Sequence, residues 1–233
     1  MIPLRDINRT QTFPLVTVMI VALNTVGFLY QFSLGSPLEL RAFFYQFGLV
    51  PYALFSIPYW QETGVVLGLR PVVTSMFLHG GWMHFLGNML FLWVFGDNIE
   101  DRLGHTRFLL FYLICGFSAT LFQIGILPNS QIPMIGASGA IAGVLGAYLI
   151  LFPRARVLTL VPILFLFQLI ELPAVIFLGL WFLLQFFSGA LSLTASYVQS
   201  GGTAWWAHIG GFVAGVVFIL KYRSARKNRR VYY

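Results

Sequence analysis

The sequence predicts an all-α membrane protein: a bundle of six transmembrane helices with both termini in the cytosol. Three observations carry that expectation. Of the 233 residues, 58% are hydrophobic and only 9% are charged, against about 25% charged in a soluble domain. Apolar runs approaching the ~20 residues that a span requires recur along the chain. The basic residues collect in alternate connections, as the positive-inside rule demands.

Residues 1–12 read as a cytosolic N-terminus. The first span covers residues 13–32. It follows Arg5 and Arg9 and lacks a small-residue cleavage site, so it is expected to remain as a span rather than leave as a signal peptide. Residues 33–71 form a long connection rich in Phe, Tyr and Trp. Such rings favour the headgroup level, so the connection is expected to lie at the interface, partly as short helices. The second span covers 72–95 and the third 108–127. The fourth, 136–152, is rich in Gly and Ala. Residues 154–171 are ambiguous: an interfacial dip, or an early part of the fifth helix, which covers 172–193. The sixth span covers 203–220, and residues 221–233 form a basic tail. Residues 13–220 thus make one membrane domain. Cys115 is the only cysteine, so no disulfide closes within the chain.

Six spans with the N-terminus inside place Arg5, Arg9, Arg102, Arg107, Arg154, Arg156 and the six basic residues of the tail in the cytosol. That leaves only Arg41 and Arg70 of the 14 basic residues outside. The net charge of +7 therefore reports topology and contact with anionic lipid, and nucleic acid is not an expected partner.

In this topology the second, fourth and sixth spans run in the same direction. At 1.5 Å per residue, Ser138, His208 and His84 lie roughly 21, 18 and 17 Å above the inner ends of their spans. Three polar side chains from three helices therefore reach a common level. Asn88 follows His84 by one turn on the same face. The fourth span is short for the hydrocarbon thickness. The irregular backbone before it must line a cavity or be buried in protein, because lipid cannot satisfy it.

These residues permit acyl transfer. A serine hydroxyl needs a base to take its proton, and an imidazole titrates near neutrality; Ser138 is the candidate nucleophile and His208 the candidate base. At the start of a helix the Ser138 backbone N–H lacks an intrahelical partner. It is a candidate oxyanion donor, together with His84 and Asn88. No carboxylate suits a third role, so a Ser–His dyad is expected rather than a triad. Gly139, Gly143 and Gly146 are expected to face Gly210, Gly211 and Gly215, because only small residues let two helices approach closely enough for the dyad to form.

The segment Gly136-Ala137-Ser138-Gly139, the pattern His79, His84 and Asn88, and the run Ala207-His208-Ile209-Gly210-Gly211 with Gly215 together resemble the rhomboid family of intramembrane serine proteases. The segment from Gly96 through Glu100, Arg102 and Gly104 is similar as well. The resemblance extends from about Arg70 to Leu220. It implies a six-helix core with a recessed aqueous site, a Ser138–His208 dyad supported by His84 and Asn88, and no metal or other cofactor. It also implies single-pass or multi-pass membrane proteins as substrates, cut in or beside transmembrane segments that carry small residues at a locally weak helix. The fifth span and the loop before the sixth would form the gate. A bacterial plasma (inner) membrane is the expected location. Two positions depart from the pattern of some relatives: Ala142 stands where a tyrosine stacks on the base, and Leu69 precedes Arg70 where a tryptophan does.

Three rival readings are weaker. A polar-lined transporter would need polar residues continuing along one face below Asn88. A metalloprotease would need acids beside the histidines, and there is no His-Glu-x-x-His segment. A non-catalytic helix-binding family member would have no use for both Ser138 and His208.

Overall fold

The computed structural model describes residues 1–163, 166–193 and 203–231. They are mostly helical: α1 (Leu15–Ser33), α2 (Pro37–Phe47), a 3-10 turn (Pro51–Phe55), α3 (Ile57–Thr74), α4 (Trp82–Leu103), α5 (His105–Ile126), α6 (Ser138–Leu151), α7 (Ala174–Ser192) and α8 (Trp205–Val231). Helices α1, α5, α7 and the Trp205–Ala225 part of α8 are long and apolar enough to cross a membrane, and α6 is a shorter apolar helix. Helix α4 has 22 residues and carries Asp97, Glu100, Asp101 and Arg102 in its last two turns.

Helix α6 is the centre of the bundle, with every residue from Gly139 to Tyr148 buried. Glycine costs about 1 kcal/mol in a helix interior relative to alanine; here the missing side chain is what brings two backbones together. A Cβ on Gly211 or Gly215 of α8 would fall on the carbonyl oxygens of Gly139 and Gly143. Gly210 departs from the expectation: it faces the ring of Phe122 on α5 rather than α6. It is adjacent to Gly211, and neighbouring residues point to different sides of a helix.

The connection 33–71 is largely helical. Gly64, at φ 66°, breaks α3, and the Arg70 guanidinium lies 4.4 Å from the Phe47 ring centre while donating to the Gln46 carbonyl at 2.9 Å. The segment 72–95, expected as one continuous helix, is divided. Residues 72–74 close α3, a 3-10 turn follows at Ser75–Phe77, and an α-helix resumes only at Trp82.

The expectation of an all-α chain needs correcting. Strands β1 (Ile2–Asp6), β2 (Arg156–Ile163) and β3 (Leu166–Pro173) form an antiparallel sheet in the order β1-β2-β3. Segment 154–171 is thus largely a β-hairpin and not part of the fifth helix, and part of segment 1–12 is its third strand. The central strand tolerates Pro162 because β1 pairs with it only as far as Leu160, so β2 is itself an edge beyond that point. Asp6 ties the sheet to the bundle. Its Oδ2 accepts from the Tyr148 hydroxyl at the end of α6, from Asn98 Nδ2 of α4 at 3.0 Å and from Asn8 Nδ2 at 3.2 Å. Segment 194–202, the expected gate loop ahead of the sixth span, lies outside the described residues, as do the side chains of the basic tail from residue 226 onward.

Candidate active site

Ser138 is the first residue of α6, His84 lies in the first turn of α4, and His208 lies in the first turn of α8. The close glycine contact of α6 with α8 brings two of them together: His208 Nε2 lies 2.7 Å from Ser138 Oγ. The other ring nitrogen, Nδ1, lies 2.7 Å from Gln185 Oε1 on α7. An amide oxygen only accepts, so Nδ1 carries the proton. Nε2 is then left with a lone pair toward the serine hydroxyl. Trp181, one turn before Gln185, and Trp205 flank the imidazole, each with its ring centre 6.0 Å away. These rings occupy the surroundings of the base where Ala142 offers none.

The backbone leading into Ser138 is held in place. Met134 and Leu49 exchange backbone hydrogen bonds at 2.7 and 3.0 Å, and Gly136 N donates to the Ser75 carbonyl at 2.8 Å. Gly136 has φ 130°, a conformation that favours glycine. A Cβ there would also sit 2.8 Å from His84 Nε2 and 3.3 Å from Ser138 Oγ. Glycine therefore keeps open the space that these two side chains border. The Gly80 backbone N–H donates to His84 Nδ1 at 3.2 Å, which leaves the His84 proton on Nε2, the nitrogen beside Gly136. Helix α6 starts without a side-chain cap, so its first N–H groups keep their donor capacity at Ser138. Asn88 is buried one turn beyond His84, and its Nδ2 has no hydrogen-bond partner among the described residues.

A cavity of about 30 Å³ adjoins Ser138, lined among others by Met134, Gly136, Gly139, Thr120 and Ala204. That is room for a water molecule or two. His79 stands apart. It lies in the turn before α4, buried, with its backbone N–H and C=O bonded to the Gln31 side chain. Among the described residues, no three His, Cys, Asp or Glu side chains gather as a ligand set for a metal.

Sequence reasoning missed Gln185, Trp181 and Trp205, as well as Gln123, whose Oε1 accepts from Ala207 N at 3.0 Å and fixes the start of α8 against α5. Gln185 had a signal: it is the only amide in an otherwise apolar span, and polar residues inside spans are placed for a reason.

The fold and this site define a class: a helical membrane bundle with a Ser–His pair at the mouth of its central helix. A family model of the Rhomboid domain matches residues 67–225, and the chain belongs to the rhomboid family. It is 30% identical over 167 residues to Rhomboid protein 1, mitochondrial, of Saccharomyces cerevisiae, covering 69% of this chain and 44% of that protein. It is 41% identical over 78 residues to the Rhomboid protease GluP of Bacillus subtilis, covering 34% of this chain and 15% of that one. With the Presenilin-associated rhomboid-like protein, mitochondrial, of Bos taurus it shares 29% identity over 158 residues, 64% and 37% of the two chains. The matches span less than half the length of each of these relatives.

Proposed function

We propose that this chain is an intramembrane serine endopeptidase that hydrolyses peptide bonds in or next to transmembrane segments of other membrane proteins. The observation that carries the reading is the 2.7 Å contact between Ser138 Oγ and His208 Nε2, with the tautomer of the imidazole set from behind by Gln185. His208 takes the hydroxyl proton as Ser138 Oγ attacks the scissile carbonyl carbon. Negative charge then develops on the carbonyl oxygen. The Ser138 N–H, His84 Nε2–H and Asn88 Nδ2 are the donors for it, and removing one such donor costs roughly 10²–10³ in rate. His208 returns the proton to the leaving amine, and the acyl-enzyme is released by water through the same base.

The small cavity beside Ser138 fits a small side chain at the cut. Helices α1, α4, α5, α6, α7 and α8 are the six spans, within a membrane domain of residues 13–220, and both ends lie in the cytosol. The site then opens on the opposite side of a bacterial plasma membrane. A transporter path is disfavoured, because α6 offers only apolar residues and glycine from Gly139 to Ala147.

The test is cleavage of candidate single-pass proteins in proteoliposomes by the unaltered chain and by Ser138→Ala. Loss of cleavage with an unchanged melting temperature supports the reading; equal turnover removes Ser138 from the mechanism.

A further inference from the structure

The end of the bundle remote from Ser138 bears a hairpin that the proposed reaction does not use. Strands β2 and β3 leave the bundle between the end of α6 and the start of α7. From Val157 to Ile170 the sequence contains no charged residue. The charges gather at the root, where Arg156 and Glu171 stand 3.8 Å apart, Arg5 of β1 lies opposite Leu158, and Arg154 is exposed. Near the root one face is covered, with Val157 and Thr159 fully buried. Toward the tip the cover stops. Leu166, Phe167 and Leu169 are 69, 70 and 62% exposed. Leu166 and Phe167 are consecutive, so they project from opposite faces of the sheet.

A sheet that docks one protein partner is apolar on one face and polar on the other. Around Leu166, Phe167 and Leu169 this hairpin is uncharged on both faces, with Gln168 its one exposed amide there, and it is charged only at its root, a gradient along its axis rather than across it. That gradient matches the passage from headgroups to acyl chains. Beyond the root, β3 leads directly into α7, whose Val175, Ile176, Leu180 and Leu183 are exposed and which is long and apolar enough to cross a membrane. The root arginines complement anionic headgroups. The free edge of β3 limits the depth, because hydrocarbon cannot satisfy its backbone N–H and C=O groups. The tip therefore reaches only the boundary zone, about 5–10 Å into the leaflet.

We propose that the β2–β3 hairpin is a membrane anchor whose apolar tip enters the leaflet at the end of the bundle opposite Ser138. Its basic root lies among the headgroups, and β1, bound through Asp6 to α4 and α6, makes it rigid. The proposal rests on the helices crossing a bilayer and is independent of catalysis.

The test places an environment-sensitive nitrobenzoxadiazole label at Phe167→Cys in the full chain. Cys115 is fully buried, so the new thiol is labelled selectively, with the unsubstituted chain as the blank. The labelled protein is reconstituted at low density in phosphatidylcholine–phosphatidylglycerol vesicles, and a Glu171→Cys label marks the root. At 167 the label should be quenched by acyl-chain nitroxide lipids and shielded from iodide present on both sides, with a blue-shifted emission relative to 171. Iodide quenching at 167 equal to that at 171 would put the tip in water and overturn the proposal. Protection from both quenchers would put the tip under protein, such as a second copy of the chain, and overturn it equally. The label reports depth whether or not the chain cleaves anything.

Discussion

The two ends of α6 treat polar atoms in opposite ways. At the far end, carboxylates are saturated. Glu100, fully buried, accepts from Val16 N and Thr17 N at 2.8 Å, from Thr17 Oγ1 at 2.7 Å, and pairs with His105. It thereby caps α1, whose own N-cap, Pro14, has no side-chain bond to give. Asp6 collects three donors, and Asp101 Oδ1 takes Gln11 N, Thr12 N and Thr12 Oγ1. At the Ser138 end, polar atoms are buried without a hydrogen-bond partner among the described residues: Asn88 Nδ2, both ring nitrogens of His79, and the indole N–H groups of Trp205 and Trp206. Each such group costs about 1–3 kcal/mol when left unmet. One end therefore uses its polar groups to hold the fold together, and the other leaves buried polar atoms unmet, at a cost in stability.

Substitutions at the two ends should accordingly separate activity from stability. The largest effect is expected at the site: Ser138→Ala or His208→Ala should lower cleavage roughly 10⁴-fold or more while the melting temperature in detergent stays put. A matching loss of stability would erase the contrast. Next comes Glu100→Ala, which strands the first-turn donors of α1 and should destabilise by about 1–3 kcal/mol for each donor left unmet. Thermal unfolding should reveal this, with Glu100→Gln losing less. Gln185→Leu should lower the cleavage rate roughly 10- to 100-fold by releasing the imidazole from its tautomer, and Gln185→Glu, which keeps an acceptor, should restore much of it. A ¹⁵N spectrum of His208 that is unchanged in Gln185→Leu would contradict that role. The smallest effect concerns the sheet. Burial raises the Asp6 carboxyl above its ordinary 3.8. From 3.8 up to the folded value, the folded chain holds more protons than the unfolded one, so stability falls as pH rises through that window. Hydrogen exchange of β1 should show this slope, and Asp6→Asn should flatten it.

The site was more legible in the sequence than the fold around it. Polar residues are expensive in a span, so Ser138, His84, Asn88 and His208 stood out against their surroundings. The structure brings Ser138 and His208 together and sets His84 beside Gly136, although α4, α6 and α8 run on for unequal lengths, to Leu103, Leu151 and Val231. Gln185 was visible as a lone amide, yet nothing in its spacing said which helix it would meet. The hairpin was hidden because toward its tip it is uncharged on both faces. The alternation that marks a half-buried strand vanishes there, and a continuous apolar run reads equally well as helix. Hydropathy also hid the break between α3 and α4. Residues 72–81 are apolar enough to continue a span, whereas the backbone turns at residues 75–77 and re-enters a helix only after Gly81, at φ 154°.

The central claim is that His208 activates Ser138 across the contact between α6 and α8. Its most direct measurement is fluorophosphonate labelling of the reconstituted chain, with the adduct mapped by mass spectrometry. The expected result is a single adduct on Ser138 that forms at a rate reduced in Gln185→Leu and is lost in His208→Ala. An adduct at another residue, or Ser138 labelled at the same rate without His208, would contradict the account.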